Sequence, residues 1–225
     1  MILKNMGESE TGIPAILLEI NIIGGRKMKR ELTRMVHVSF DLVDHFVPRV
    51  PKERIKGKNA TEDNTIPRIC VAPSIMEALN AIPCSGDVIR NMQKLDLPVI
   101  LHAYYMYSDE FQKPTKELVP DVELTNEHWL CTEPERILRK DFLLIDPILH
   151  VCTDINGKSI TGIFGGTVKP TKYQDNTDHL CRMFGIDKKK IPGNVSFRDL
   201  MFHLGPTFIE KKEETYSHQK ESISK

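Results

Sequence analysis

Arg68-Ile69-Cys70-Val71-Ala72-Pro73-Ser74-Ile75-Met76-Glu77-Ala78-Leu79 passes from strand to helix with almost no connection, and this decides the fold class. Arg68 to Ala72 is a short apolar, β-forming run closed by a proline. Ser74 is placed to cap a helix, and Glu77 three residues on completes a capping box. Ile75, Leu79 and Ile82 supply one apolar face, and Pro83 stops the helix.

Outward from this segment the pattern is mostly strand. Met35-Val36-His37-Val38-Ser39-Phe40 alternates and reads as a strand. Between it and Arg68 runs a polar segment, Val47 to Pro67, with Pro48, Pro51, Gly57 and Pro67 among many charges. A stretch of that kind within a domain is typically a lid or binding loop. Downstream, Val99–Met106, Thr125–Cys131 and Phe142–Ile145 read as strands, and Ser159–Val168 as an interrupted strand or hairpin. His179–Phe184 and Phe197–Leu204 read as short helices. The expected class is α+β, with many short strands and few helices.

Ala15 to Ile23 reads as a strand ending at Gly24-Gly25, and Arg26 to Arg30 as a basic, solvated turn. Lys211 to Lys225 is polar and charged and reads as disordered. The expected organisation is an extension at 1–30, a domain at 31–150, a C-terminal extension at 151–210 packed on it, and a tail at 211–225.

Of 225 residues, 40% are hydrophobic and 28% charged, enough apolar material for a core. The 31 Lys+Arg balance 31 Asp+Glu, which argues against a general nucleic-acid or membrane-surface binder while leaving room for a local patch. No apolar run approaches the roughly 18–20 residues that cross a bilayer. Glu8 and Glu10 stand where a signal peptide would be basic, so a soluble, cytoplasmic protein is expected. Five cysteines, an odd number with no pair two residues apart, suggest buried thiols in place of disulfides or zinc. The eight histidines are scattered, and no metal site is expected. Phosphate-loop, dinucleotide-binding, zinc-protease and hydrolase-elbow signatures do not occur. Gly162-Ile163-Phe164-Gly165-Gly166 does not join a clear strand to a helix.

Three segments in order carry more. They are Val36-His37-Val38-Ser39, then Ile69 to Ser74 running into its helix, then Thr125-Asn126-Glu127-His128-Trp129-Leu130 followed by Ile137 to Ile145. This order resembles the ADP-ribosyltransferase fold of NAD-consuming enzymes, in its poly(ADP-ribose) polymerase and rifampin-modifying branches. There, a strand carries His followed two residues on by Ser or Thr; a second strand ends in Ala and turns into a helix; a later strand carries Glu, often after Asn. The resemblance covers about residues 35–146.

It implies a split, twisted, antiparallel-rich sheet with NAD, as substrate, in a cleft. It implies that His37 and Glu127 face one another across that cleft as the catalytic pair. Breaking the C–N glycosidic bond of NAD passes through an oxocarbenium-like state, which a fixed carboxylate such as Glu127 stabilises. His37 would meet the adenosine ribose, and Ser39 the nicotinamide ribose or amide. Arg49, Arg54 and Arg68 are candidate diphosphate partners, because a guanidinium matches phosphate oxygens bidentately. The position expected to stack on nicotinamide falls at Cys70 or Val71, which cannot stack, and Tyr104, Tyr105 or Trp129 would have to substitute. Each residue also has an ordinary reading: His37 as a core histidine, Ser39 as a hydroxyl on the sheet, Glu127 as an exposed turn carboxylate.

The expected function is ADP-ribosyl transfer from NAD, or NAD glycohydrolysis, on an unknown acceptor. The alternative is a catalytically inactive nucleotide-binding or protein-interaction module of the same fold. An RNA-end-processing phosphotransferase is a third reading, to which the neutral charge lends nothing.

Overall fold

The computed structural model describes residues 4–5, 15–21, 27–52, 60–173, 175–193 and 195–223. In chain order the strands are β1 (Lys4–Asn5), β2 (Ala15–Asn21), β3 (Lys27–Ser39), β4 (Ile69–Val71), β5 (Val99–Ser108), β6 (His128–Leu130), β7 (Arg136–Thr153) and β8 (Ser159–Pro170). The helices are α1 (Ile75–Asn80), α2 (Ser85–Lys94), α3 (Val122–Thr125), α4 (Asn176–Phe184) and α5 (Phe197–Ile223), with a 3-10 turn at Lys188–Lys190. Hydrogen-bonded neighbours follow the order β1-β2-β3-β5-β7-β8, and β4 pairs separately with β6. The pairs β1/β2, β2/β3, β4/β6 and β7/β8 are antiparallel. The α+β class with few helices therefore holds.

Three local readings change. Lys27 to Arg30, expected in a turn, lies in β3, in a register running from Asn21 opposite Lys27 to Ala15 opposite Thr33. The Gly24-Gly25 turn itself is outside the described residues. Helix α2 was not anticipated from the sequence; its face of Val88, Ile89 and Met92, continued by Leu95, is fully buried. The segment from Lys211, expected to be disordered, continues α5 as helix to Ile223. Lys212 anchors it by donating to the Lys94 carbonyl at 3.1 Å and to Asp96 at 2.5 Å. No helix among the described residues is long and apolar enough to cross a membrane.

The chain divides into two compact units, and the boundary is not at residue 150. The first comprises Met1–Val38, Val43–Ala81 and Ala103–Lys140; the second Ser39–Leu42, Ile82–His102 and Asp141–Lys225. In the second unit, buried Asn176 at the head of α4 accepts from Ile100 N–H and donates to the Phe40 and Ile100 carbonyls. Asp41 accepts the first N–H of α5, from Phe197, at 2.7 Å. Helix α2 packs on α5 and β8. A Cβ on Gly86 would stand 2.0 Å from the Thr161 carbonyl oxygen, so only glycine permits that approach. These contacts draw 39–42 and 82–102 away from their sequence neighbours.

The core of the first unit is built on the alternation of β4. Ile69 and Val71 enter a cluster with Met35, Tyr104, Met106 and Leu130, against which Val43, Phe46 and Phe111 pack. Cys70 enters the opposite cluster with Val119, Val122 and Trp129, beside Ile66 and Leu118. Each fully buried large apolar side chain there contributes roughly 1.5–3 kcal/mol. The strand-to-helix turn forms as the sequence indicates: Glu77 N–H donates to Ser74 Oγ, and the Ser74 hydroxyl donates to Glu77 Oε2 at 2.7 Å.

Candidate functional site

Both members of the expected catalytic pair lie in the first unit. Helix α3 ends at Thr125, and Asn126 takes a left-handed φ of 49°, which its short polar side chain tolerates. Asn126 Nδ2 donates to Glu77 at 2.9 Å, and Lys113 donates to Asn126 Oδ1 at 3.0 Å, holding the turn against α1. The next residue, Glu127, is thereby turned inward to 6% exposure. Trp129 Nε1–H donates to Glu127 Oε1 at 2.6 Å. The Cys70 thiol also hydrogen-bonds this carboxyl. Burial raises the Glu127 carboxyl above its ordinary 4.5, against the opposing pull of those two bonds. Burial, aided by the Glu127 charge, also pushes the Cys70 thiol well up, so it is no nucleophile.

Arg68 completes this side. Its side chain is wholly buried and pairs with Glu62 at 2.5 Å and Asp63 at 3.3 Å. It also donates to the Ile66 carbonyl at 2.9 Å, and its guanidinium carbon stands 4.1 Å from the centre of the Trp129 ring. Two expectations fall here. Arg68 is not a diphosphate partner, because its side chain is sealed from solvent and both terminal nitrogens are engaged by the loop before it, although Nε has no partner. Trp129, 3% exposed with Arg68 over one face, does not offer its ring to a ligand. Nor is Glu127 the exposed turn carboxylate of the ordinary reading.

His37 meets the same strand from the other side. Its Nδ1 lies 2.8 Å from the Cys70 carbonyl oxygen, which can only accept, so Nδ1 carries the proton. The ring stands edge-on to Phe46 at 5.2 Å and tilted to Tyr104 at 6.4 Å. Burial lowers the imidazole below its ordinary 6.5, opposed by the Cys70 bond and reinforced by the positive charge of Arg49. His37 is thus neutral at pH 7, and Nε2 is a bare acceptor without a hydrogen-bond partner among the described residues. Arg49 is exposed, its backbone paired in both directions with Arg68, at 3.2 and 3.0 Å. Its guanidinium makes no ion pair among the described residues.

His37 and Glu127 therefore do not face one another. His37 packs with the Ile69/Val71 cluster, Glu127 with the Cys70 cluster, and the backbone of β4 runs between them. The cause is the two-residue period of the strand. Tyr104 is 3% exposed, its hydroxyl oxygen accepts Val43 N–H at 2.7 Å, and Phe46 lies 4.8 Å from its ring, so it is a wall residue and no stacking platform. Ser39 belongs to the second unit, where its hydroxyl accepts Asp41 N–H at 3.0 Å. Arg54 lies outside the described residues. A hollow of about 350 Å³ opens elsewhere in the first unit, lined by Asp109, Glu110, Phe111, Gln112, Cys131 and Thr132. No group of three or more His, Cys, Asp or Glu is arranged to hold a metal among the described residues.

Sequence reasoning passed over Phe46 and the carboxylates Glu62 and Asp63. The adjacent acidic pair five and six residues before Arg68 was the available signal. No family model, no curated protein and no solved structure matches this chain.

Proposed function

We propose that the chain is a nucleotide-binding module that takes NAD or ADP-ribose at His37 and Arg49 and does not use Glu127 for transfer. The observation that carries this is the locked tautomer of His37: Nδ1–H is held by the Cys70 carbonyl, and Nε2 is left as an acceptor within the field of an exposed guanidinium that makes no ion pair among the described residues. A ribose hydroxyl donates to such a nitrogen, and a diphosphate meets such an arginine. Half-buried Phe46 supplies an apolar wall beside them. The enclosure of Glu127 by Trp129 and Cys70 supports the non-catalytic form over the transferase.

The test is thermal unfolding with NAD and with ADP-ribose, beside an assay of nicotinamide release. A ligand at 100 times its dissociation constant adds about 2.7 kcal/mol to the folded state, and Tm rises accordingly. The rise is expected for the native chain, absent in Arg49→Ala and reduced in His37→Ala, with no nicotinamide formed. Nicotinamide release that disappears in Glu127→Gln would restore the transferase. No shift with either ligand ends both readings.

A further inference from the structure

Strand β5 sends Tyr104 and Met106 into the core, so Tyr105 and Tyr107 fall on its other face. That face of the first unit carries a cluster the nucleotide reading does not use. Arg34 of β3 lies over the Tyr105 ring, its guanidinium carbon 5.2 Å from the centroid. Lys140 of β7 lies over the same ring at 5.8 Å. Arg136 of β7 lies over Tyr107 at 5.8 Å. Between Arg136 and Lys140 on the same side of β7, Leu138 is 37% exposed. None of the three cations makes an ion pair among the described residues.

In a chain whose 31 basic and 31 acidic residues cancel, three cations on one sheet face with no ion pair among the described residues are a local excess. Since β3 and β7 flank β5 in the sheet, Arg34 and the β7 cations stand about 10 Å apart across it, two strand spacings. The two guanidiniums present planar faces as well as charge, and Tyr105 is only half-buried. Planar groups that stack, together with cations that meet phosphate, are what recognises unpaired bases on a phosphate backbone.

We propose that this face, with Arg34, Tyr105, Arg136 and Lys140 at its centre, binds single-stranded nucleic acid. The cations take phosphates, and the guanidinium planes receive bases, while the Tyr105 ring, with Arg34 and Lys140 over it, holds those cations in place. A sheet face of this kind takes a strand whose bases are splayed out, which a duplex does not offer.

The experiment is fluorescence anisotropy of labelled 20-nucleotide single-stranded DNA and RNA of mixed sequence, titrated with the full chain from 50 to 300 mM salt. Binding is expected, with a log–log salt slope of about −2, since each phosphate contact contributes about 0.7. The combination Arg34→Gln, Arg136→Gln and Lys140→Gln is expected to weaken binding at low salt at least tenfold, and Lys189→Gln with Lys190→Gln, on the second unit, to leave it unchanged. The DNA and RNA arms tell which strand is preferred. Failure of the native chain to bind either strand at 50 mM salt overturns the proposal. So does a triple variant that binds as the native chain does, or poly-glutamate binding as tightly as the oligonucleotides. Should the triple variant not fold, Lys140→Gln alone reads the same quantity: the slope falls in magnitude by about 0.7, and an unchanged slope overturns the proposal.

Discussion

The two sides of β4 carry the same kinds of residue and do different things. On the Cys70 side an arginine, two carboxylates, a tryptophan, a thiol and Glu127 close on one another, and each charge meets a partner. On the Ile69/Val71 side a histidine and two aromatic rings stop short of closure; the ring nitrogen is left over, and the exposed Arg49 guanidinium, whose charge reaches the imidazole, makes no ion pair among the described residues. Residue type in sequence order does not separate these cases. What separates them is whether the protein has already satisfied the group. A buried ion pair adds little net stability once desolvation is counted, yet removing one member leaves its partner stranded. An unsatisfied exposed group costs the fold nothing and remains for a ligand.

The sharpest way to break the contrast is Arg68→Ala. Glu62, Asp63 and the Ile66 carbonyl lose their common donor, and a loss of about 3–5 kcal/mol in urea unfolding is expected. Trp129→Phe comes next: it keeps most of the ring but removes the donor to Glu127, at about 1–3 kcal/mol by the same measurement.

Glu127→Gln sharpens the contrast through pH. Burial raises the Glu127 carboxyl, so the folded chain holds this proton more tightly than the unfolded one. The stability this contributes is complete below the ordinary value of 4.5 and is lost as pH rises through the folded value. Glutamine still accepts from Trp129 and has no charged form. Its Tm is expected to match the native protein near pH 4 and to exceed it at pH 7. A variant destabilised at pH 7 would show that the ionised carboxylate is needed where it stands.

His37 works in the opposite direction. Its imidazole is lowered, so stability is present above its ordinary 6.5 and is lost as pH falls through the folded value. The NAD-induced rise in Tm is expected to be equal at pH 8 and 7 and to fall only below 6.5. The smallest effect on the fold is that of Arg49→Ala: an exposed residue, within about 0.5 kcal/mol of the native stability, whose loss shows only in the ligand shift.

Much of the fold was legible. The capping box at Ser74 and Glu77, the alternation around His37 and the apolar run of β5 are local signals, each readable within a few residues. Helix α2 was hidden because its polar residues, Asp87, Arg90, Asn91 and Gln93, dilute a face that only packing on α5 and β8 completes. The site was half legible. His37, Glu127, Arg49 and Arg68 are all placed within one unit, but their roles depend on partners 33, 57 or more residues away in the chain, or on acidic residues of a neighbouring loop that carry no mark of what they pair with.

Period and composition, being properties of adjacent residues, determined the strands, the strand-to-helix turn, the balanced charge and which side chains share a face. Tertiary structure alone decided which face is covered and by what. It set Asn176 and Asp41 to bind 39–42 and 82–102 to the C-terminal half, laid Arg68 over Trp129, and put the backbone of β4 between His37 and Glu127. The reason is physical: alternation says that two neighbours point apart, while burial and hydrogen bonding between distant segments settle what each of them meets.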